Sequence, residues 1–324
     1  MQRIAVTGAS GLIGRALVQA LFARGDEVVA FSRTPERHHE TELPMSSVQM
    51  MYEYKMRVEE QTIPRITWER WDPQNSDSLR RALSGCDTVV NLVGASIAGK
   101  RWSEAYKQQL MTSRVNATQQ LLAAIASMPQ PPQTFISSSG AGYYGIGAHA
   151  ADETTPAGRD FLARLCVDWE AAAHTATTLG MRTAVVRTGV VLDDHDGALP
   201  LMALPFRLFA GGPVLPGTQG ISWIHRDDMV RLLLWLIDTP SAQGAYNGCA
   251  PNPVSNAALG SAIAQRLARP NWLPVPQFAL QLLFGEMADA LLIGGQYVTS
   301  SRLASAGFTF QYPHITEALA TLWA

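Results

Sequence analysis

The sequence has few cysteines, little net charge and no long apolar run. Its three cysteines, Cys86, Cys166 and Cys249, are far apart and form no CxxC pair, so neither a disulfide framework nor a metal site is indicated. The formal net charge is −2 and no long basic run occurs, so we expect neither nucleic acid nor a membrane as a partner. No apolar run reaches the roughly 18 residues that span a bilayer.

These absences favour a cytoplasmic protein in a reducing compartment. The first expected strand begins at residue 3, which leaves no room for a signal peptide or transit sequence. With 324 residues, of which 47% are hydrophobic, the chain can bury a large core as one α/β domain or a domain with an annex. We expect a soluble monomer or homodimer whose partner is a small-molecule substrate.

The most informative motif that is present is IAVTGASGLIG at residues 4–14, which leads into a helical pattern. A strand, a glycine turn and a helix in this order suit a dinucleotide pyrophosphate, although such a turn can also simply connect two elements. Gly8 permits a tight turn, Gly11 lets the backbone approach the phosphates, and Gly14 lets the helix pack closely. The helix N-terminus adds free N–H groups. The expected cofactor contacts are Gly8, Ser10, Gly11, Leu12, Ile13 and Gly14.

Strand and helix patterns alternate through the first 190 residues, which predicts parallel βαβ units. Beyond them, ISWIHRDDMVRLLLWLID (221–238) predicts a strand and a helix that rejoin the main sheet. We therefore predict an α/β fold, a Rossmann-type doubly wound parallel sheet with a smaller, interleaved C-terminal substrate lobe. The expected domains are 1–195, rejoined by 221–245, for cofactor binding, and 196–324, mainly for substrate binding. The predicted strands are 3–7, 27–32, 66–71, 87–93, 133–138 and 182–187, and the predicted helices are 12–24, 76–84, 103–127 and 159–179.

Residues 36–65 do not fit this alternation. Apolar residues recur there at every second position, which predicts a half-buried strand. They are Val48, Met50, Tyr52, Tyr54, Met56 and Val58. One interpretation is an extra strand at the sheet edge, and the other is an edge for dimerisation or partner docking.

The end of the second predicted strand indicates which cofactor is bound. NAD sites usually place Asp or Glu there, to accept hydrogen bonds from the adenine ribose. Here the strand ends in Ser32 and Arg33, and a guanidinium can bind a 2′-phosphate in a forked geometry. We therefore predict NADP(H), with a plain solvated Arg33 as the alternative. Further cofactor candidates are Asp72 for the adenine amino group and Leu92, Val93 and Gly94 for the adenine ribose.

The spacing Thr-Gly-x-x-Gly-x-x-Gly resembles the short-chain dehydrogenase/reductase superfamily, especially its extended and atypical branches. The segment TFISSSGAGYYG (134–145) likewise resembles extended reductases and sugar-nucleotide epimerases. The resemblance implies that Ser138 or Ser139 polarises a substrate carbonyl and that Tyr144 lines the substrate site. A run of serines also favours a plain turn. Asn116, in SRVNATQQLL, resembles an asparagine of the family's fourth helix, and the resemblance implies that it contacts the cofactor.

The sequence lacks the Tyr-x-x-x-Lys pair that these families carry on the next helix. There the lysine holds the ribose and lowers the tyrosine pKa, so that the phenol exchanges a proton near neutral pH. Counted back from Glu170, the two positions fall on Leu162 and Cys166. A shift of one residue gives Phe161 and Leu165, so no register supplies the pair.

This departure is itself typical of one group. The segments RDFLARLCVDWEAAA, RTGVVL, SWIHRDDM and GQYVTSSRLASAGFTF together resemble the atypical "epimerase family" of short-chain reductase-like proteins, the YfcH-like group, nearly from end to end. The insert at 36–65 is longer than the usual connection in that group. The resemblance implies NADP(H) binding and leaves the reaction undefined.

Other side chains are candidates for the missing acid or for ligand binding. Tyr143 and Tyr144 follow the serines, with packing in the cleft wall as the alternative. His225 has a pKa range suited to proton transfer, with a structural role as the alternative. Candidates for cofactor or substrate groups are Arg187, Arg226, Gln296 and Arg302.

Two functions of different classes are open at this point. The first is an NADP(H)-dependent oxidoreductase or epimerase acting on a small carbonyl or sugar-like compound, with a tyrosine or water in place of the missing donor. Loss of the pair lowers such a rate by about 10²–10⁴-fold. The second is a non-catalytic NADP(H)-binding sensor or structural protein, because the glycine loop is intact while the pair is absent.

Overall fold

The computed structural model describes residues 1–38, 65–147 and 150–323. Its strands are β1 (Arg3–Thr7), β2 (Glu27–Ser32), β3 (Ile66–Arg70), β4 (Thr88–Asn91), β5 (Thr134–Gly140), β6 (Ala150–Ala151), β7 (Arg182–Thr188), β8 (Val190–Leu192), β9 (Gly220–Ile221), β10 (Trp223–His225), β11 (Gly244–Gly248), β12 (Val254–Ser255) and β13 (Tyr297–Val298). Its helices are α1 (Leu12–Arg24), α2 (Ser76–Leu83), α3 (Glu104–Met111), α4 (Ala117–Ala126), α5 (Phe161–Thr178), α6 (Leu199–Arg207), α7 (Arg226–Asp238), α8 (Asn256–Leu267), α9 (Gln277–Phe284), α10 (Glu286–Ala288), α11 (Ser301–Ser305) and α12 (Ile315–Leu322). The alternating segment 48–58 lies outside the described residues, so both interpretations of it stay predictions.

A seven-stranded parallel sheet forms the centre of the molecule, in the order β11-β7-β5-β4-β1-β2-β3. The strand order reverses between β1 and β4, as in doubly wound folds, and ligands bind in the crevice that opens at such a point. The strands predicted at 3–7, 27–32, 66–71, 87–93, 133–138 and 182–187 lie in this sheet, with their ends shifted by a few residues at most. The predicted Rossmann-type α/β fold is therefore confirmed.

Helices cover both faces of the sheet because its strands are apolar on both sides. On one face, Leu17 and Leu21 of α1 share a buried cluster with Leu233 of α7. On the other face, α2, α4 and α5 contribute to a second cluster that includes Leu121 and Ala173. The two layers hold the carboxyl ends of the strands in fixed positions, where the cleft described below opens.

The helix predicted over 103–127 is interrupted. The structure has α3 and α4 with a π-helical turn, Thr112–Asn116, between them. A π-helical turn contains an extra residue, so it rotates the side chains around it relative to a regular helix, and such turns are frequent at functional sites. A second π-helical turn lies at Asp289–Ile293.

The strand predicted near residue 221 does not rejoin the main sheet, which corrects that part of the domain prediction. Residues 223–225 (β10) pair in parallel with 190–192 (β8) as a separate two-stranded sheet. Both edges of β7 are already occupied, by β5 and by β11, so β10 can pair only with the continuation of that strand. The predicted helix does return to the main core, as α7 packs on α1. The sequence did not predict β11, because GAYNG has no β-branched residue.

The smaller lobe has a core of its own, in which α6, α8 and α12 pack around the fully buried Trp223. The strand pair β6–β13 joins the segment after β5 to the C-terminal part of the chain, so the lobe is interleaved with the main domain. The division of the chain at residue 195 stays a prediction. Within the described ranges, no helix has the length and apolarity needed to cross a membrane.

Candidate functional site

The glycine loop between β1 and α1 has the geometry of an anion cradle. Gly8 has φ +68°, and a Cβ there would lie 2.7 Å from the carbonyl oxygen of Leu92, so a side chain would strain the turn. Gly11 is the N-cap of α1, and its N–H donates to the Gly8 carbonyl at 3.0 Å. No side chain caps this helix, so the N–H groups of its first turn are available to an anion.

Gly14 allows α1 to start close to the loop. A Cβ at Gly14 would lie 2.2 Å from the carbonyl oxygen of Gly8. Because this oxygen belongs to the backbone, no side-chain rearrangement would relieve the clash. Arg15 fastens the loop from outside, since it donates to the Ser10 carbonyl at 2.8 Å and pairs with Asp196 at 2.8 Å. Sequence reasoning missed Asp196, because no local pattern connects two residues so far apart along the chain.

The end of β2 presents Arg33 to solvent. Its side chain is exposed and forms no hydrogen bond or ion pair within the part of the chain that the structure describes, while its carbonyl accepts from Arg70 at 3.1 Å. Ser32 is buried, and its Oγ accepts from the N–H two residues on, at 3.2 Å. Asp72 is exposed and accepts from the N–H two residues on at 3.1 Å, which commits one carboxylate oxygen to a turn.

A cleft of ≈ 380 Å³ opens beside the glycine loop at the carboxyl ends of β4, β5 and β7. Leu12, the first residue of α1, directly precedes Ile13, which lines the cleft. The opposite wall comes from the C-terminal half of the chain and includes Ser222, Leu291 and Gln296. The predicted residues that the structure brings together in this cleft are Ile13, Leu92, Val93, Gly94, Ser138 and Ser139.

The two candidate serines have different environments. Ser139 is buried, and its Oγ donates to Glu170 Oε1 at 2.7 Å. Ser138 is only half-buried, lines the cleft, and its hydroxyl has no hydrogen-bond partner among the described residues. Of the two serines, Ser138 is therefore the one whose hydroxyl is available to hydrogen-bond a ligand.

Leu162 and Cys166 line the cleft, as expected for the positions of the missing Tyr and Lys. The Cys166 thiol lies 3.6 Å from the Gly140 carbonyl oxygen. Burial raises the pKa of this thiol to about 11, so it is neutral at pH 7 and is neither a nucleophile nor a general base there. The cleft thus has no proton donor of the usual kind at these two positions.

Tyr144 and Arg187 are not among the residues that line the cleft, and their direct contact with a ligand stays a prediction. The Tyr144 hydroxyl donates to Asn247 Oδ1 at 2.7 Å and accepts from Arg187 at 3.0 Å. Burial raises the pKa of Tyr144 to about 12, which makes it a weak acid at neutral pH. The Arg187 guanidinium pairs with Glu170 and stacks on the Tyr143 ring, 3.3 Å from its centroid. These groups form a buried network that supports Ser139.

Asn116 does not line the cleft either, and its contact with the cofactor stays a prediction. Its side chain is exposed on the π-helical turn, whereas Arg114 of the same turn is buried and lines the cleft. The physical reason is the extra residue of the π-helical turn, which changes the face that each position presents. The sequence did not indicate a role for Arg114, because an arginine in a polar helical segment is expected to be exposed to solvent.

The remaining candidate residues differ in whether they line the cleft. His225 is buried, and its Nδ1 accepts from the Asp227 N–H at 3.0 Å, so it caps α7; burial also lowers its pKa. Arg226 pairs with Asp193 and Asp227, and Arg302 donates to main-chain carbonyls of 243 and 245. None of these three lines the cleft, whereas Gln296 does.

Within the described residues, no cluster of three His, Cys, Asp or Glu side chains could hold a metal ion.

Comparison with known proteins gives a family for the whole chain. Residues 4–248 match the model of the NAD dependent epimerase/dehydratase family, and residues 275–322 match a domain of unknown function, DUF1731. The chain is 36% identical over 322 residues to epimerase family protein SDR39U1 of Bos taurus, covering 98% of both proteins. It is 38% identical over 317 residues to epimerase family protein MT2273 of Mycobacterium tuberculosis, covering 98% of this chain and 96% of that one.

Solved structures agree with the sequence comparison. Human epimerase family protein SDR39U1 (isoform 2), crystallised with NADPH, matches with a TM-score of 0.80 at 31% identity, covering 99% of both chains. UDP-glucuronic acid 4-epimerase from Bacillus cereus, in complex with NAD, has a TM-score of 0.74 at 18% identity over 99% of this chain and 97% of its own, which shows a common fold. The resemblance to atypical short-chain reductases is confirmed, and the chain belongs to the NAD-dependent epimerase/dehydratase family.

Proposed function

We propose that this protein is an NADP(H)-dependent oxidoreductase or epimerase that acts on a small carbonyl or sugar-like compound. The observation that carries the proposal is the position of Ser138. Its hydroxyl lies at the carboxyl end of β5, in a cleft that Ile13 of α1 also lines, and it has no competing partner among the described residues. A free hydroxyl at this point is placed to polarise a carbonyl next to a nicotinamide ring.

The residues present fit NADP(H). The Gly8 turn leaves no space for a Cβ, and the uncapped N-terminus of α1 offers N–H donors, which together suit a pyrophosphate. The exposed guanidinium of Arg33 at the end of β2 suits a 2′-phosphate, where NAD sites place a carboxylate. The human relative SDR39U1, at 31% identity, was crystallised with NADPH.

The chain's own residues bind and polarise the substrate. When bound, the nicotinamide ring supplies or accepts a hydride. The Ser138 hydroxyl donates a hydrogen bond to the substrate oxygen, which draws charge from the carbonyl carbon. Since the Leu162 side chain has no ionisable proton and the Cys166 thiol has a pKa of about 11, we expect a water molecule in the cleft to exchange the proton with the substrate oxygen. We expect turnover about 10²–10⁴-fold below that of an enzyme with a positioned phenol.

A second candidate function is a non-catalytic NADP(H)-binding protein. The observation that favours it is the pair Leu162 and Cys166, which leaves the cleft without the usual acid. Such a protein would bind the cofactor through the intact glycine loop and respond to its redox state. It predicts tight NADPH binding without any consumption of NADPH.

Turnover by the wild type and by a serine variant distinguishes the two functions. NADPH binding is measured first by fluorescence titration, and then ketones, aldehydes and nucleotide sugars are screened for loss of NADPH absorbance. Ser138→Ala should abolish turnover and leave the NADPH dissociation constant unchanged. Ser84→Ala, at an exposed position after α2, is the matched control. Epimerisation consumes no net cofactor, so it is followed by product analysis.

Each outcome decides between the candidates. Turnover that Ser138→Ala removes and Ser84→Ala retains supports the enzyme. NADPH binding with no reduction and no epimerisation across the panel supports the second candidate. Failure to bind NADPH overturns both candidate functions.

The cytoplasmic location and the choice between monomer and homodimer stay predictions, and one relative, from Arabidopsis thaliana, is named as chloroplastic.

A further inference from the structure

Arg114 is a buried arginine that has no acidic partner in the part of the chain that the structure describes. Its side chain is 7% exposed, and it forms no ion pair within residues 1–38, 65–147 and 150–323. Its one short hydrogen bond is from Nη2 to the Ala95 carbonyl, at 2.8 Å. Nη1 makes only long contacts, 3.4 Å to the Leu110 carbonyl and 3.5 Å to Ser113 Oγ. A guanidinium has five N–H donors, so part of its capacity is unused.

The fold makes room for this guanidinium at the cleft wall. A Cβ on Gly94 would lie 2.9 Å from Arg114 Cζ, so the absence of a side chain at 94 creates the space that the guanidinium occupies. The Trp169 ring lies on another side, with its centroid 5.3 Å from Cζ. The π-helical turn Thr112–Asn116 points the side chain inward. Three separate features therefore place one positive charge at the wall.

Among the described residues that line the cleft, no negatively charged side chain balances Arg114. Of the described residues that line the cleft, it is the only one with a formally charged side chain. The neighbouring Cys166 thiol is neutral at pH 7, since burial raises its pKa to about 11. The Tyr106 hydroxyl donates to the Ser96 carbonyl, and none of the hydrogen bonds of Arg114 to the described residues is to Tyr106. A buried charge with no partner is unfavourable, and a ligand that brings the opposite charge would compensate it.

We propose that Arg114 binds an anionic group of the substrate, so that the cleft selects carbonyl compounds that carry a carboxylate or a phosphate. This inference rests on the proposed function, because it assigns the substrate class of the same cleft. A guanidinium binds either oxyanion with two parallel N–H donors, and it retains its charge at every physiological pH. Ser138 and Arg114 line the same cleft. The carbonyl oxygen of the substrate can therefore accept a hydrogen bond from Ser138 while the anionic group of the substrate binds Arg114. A neutral ketone would leave the buried charge uncompensated.

The test compares matched charged and neutral probes. The protein is saturated with NADP⁺, which prevents carbonyl reduction, and probe binding is measured by calorimetry. The pairs are pyruvate against pyruvamide, for a carboxylate, and dihydroxyacetone phosphate against dihydroxyacetone, for a phosphate. We expect the charged member of at least one pair to bind about 10–100-fold more tightly, as for a charge-assisted hydrogen bond. The pair that shows the preference identifies the oxyanion.

Variants assign the preference to Arg114. Arg114→Met should abolish it, Arg114→Lys should retain part of it, and Arg81→Met, at an exposed position on α2, should leave it intact. The NADPH dissociation constant should stay within about twofold in all three, which separates this inference from cofactor binding. If Arg114→Met does not fold, Gly94→Ala displaces the guanidinium without removing it and should weaken the preference.

Several results would overturn the inference. One is equal or absent binding of the charged and neutral members of both pairs to the wild type with NADP⁺ bound. Another is a preference that survives Arg114→Met. A third is a loss of NADPH affinity in Arg114→Met as large as the loss of probe affinity, since the charge would then serve the cofactor. Failure to bind NADPH at all would instead contradict the proposed function.

Discussion

Arg187 and Glu170 form a buried bidentate ion pair behind the wall of the cleft. Nε and Nη2 of Arg187 lie 2.9 Å from Oε1 and Oε2 of Glu170, respectively. The carboxylate also accepts from Ser139, and the guanidinium also donates to Tyr144. The pair thus connects β5, β7 and α5 next to the position of Ser138.

Removing one partner of this ion pair should destabilise the protein strongly. Arg187→Met leaves the Glu170 carboxylate buried without a counter-ion, which costs about 3–5 kcal/mol. Urea titration should show a matching fall in the free energy of unfolding. Arg70→Met is the control, because its partner Glu36 is 60% exposed at 3.2 Å, and such surface pairs contribute about 0–1 kcal/mol. Equal effects of the two substitutions would contradict the prediction.

Adding one methyl group at Gly14 should abolish cofactor binding. The new Cβ would lie 2.2 Å from the Gly8 carbonyl oxygen, so α1 must move away from the loop and its N–H groups with it. We expect Gly14→Ala to weaken NADPH binding by at least about 100-fold, or roughly 2.7 kcal/mol, in a fluorescence titration. Gly147→Ala is the control, since a Cβ there meets no described atom within 4 Å. An unchanged affinity in Gly14→Ala would show that the cofactor does not use this loop.

Replacing Arg33 should remove the preference for NADPH over NADH. A charge-assisted hydrogen bond to the 2′-phosphate contributes about 1.5–3 kcal/mol, so Arg33→Ser should lower the ratio of the two affinities by about 10–100-fold. The dissociation constants of NADPH and NADH are measured in parallel. Arg81→Ser, at an exposed position on α2, should leave the ratio unchanged. Tighter binding of NADH than of NADPH by the wild type would refute the assignment.

The stability of the protein should decrease at alkaline pH because of its buried thiols. Burial raises the pKa of Cys166 from 9.0 to about 11, and that of Cys249 from 9.0 to about 12. Above pH 9 the unfolded chain therefore binds fewer protons than the folded one, and the free energy of unfolding falls as pH rises towards 11. Urea titrations between pH 8 and pH 11 measure this slope. Cys249→Ala should show a shallower slope than the wild type, and parallel curves would count against the prediction.

The sheet and the nucleotide loop were predictable because their signals are local. Short apolar strands alternate with helical patterns, and the glycines at 8, 11 and 14 follow the first strand at once. The weak strand β11 was missed, since GAYNG has no apolar alternation and forms only because the free edge of β7 accepts it. The strand β10 was predicted but assigned to the wrong sheet, because no local pattern shows that β5 and β11 occupy both edges of β7.

The direction of side chains at the site was less predictable. Ser138 and Ser139 are adjacent in sequence, yet only Ser138 has a free hydroxyl, because Glu170 of α5 engages Ser139. Tyr144 is turned towards Asn247, a residue of β11 that lies 103 positions away in the chain. Such partners come from distant segments, so no motif at the residue itself reveals them.

The amino-acid sequence by itself determined the parallel sheet, the glycine loop, the basic end of β2 and the absence of a Tyr-x-x-x-Lys pair, because each depends on residues within one short segment. The tertiary structure decided which polar groups face the cleft. Packing of α5 and β11 engaged the hydroxyl of Ser139, Tyr144 and Arg187 in a buried network, while a π-helical turn brought Arg114 to the wall beside Gly94. Side-chain direction is set by neighbours from other segments, and these meet only when the chain is folded.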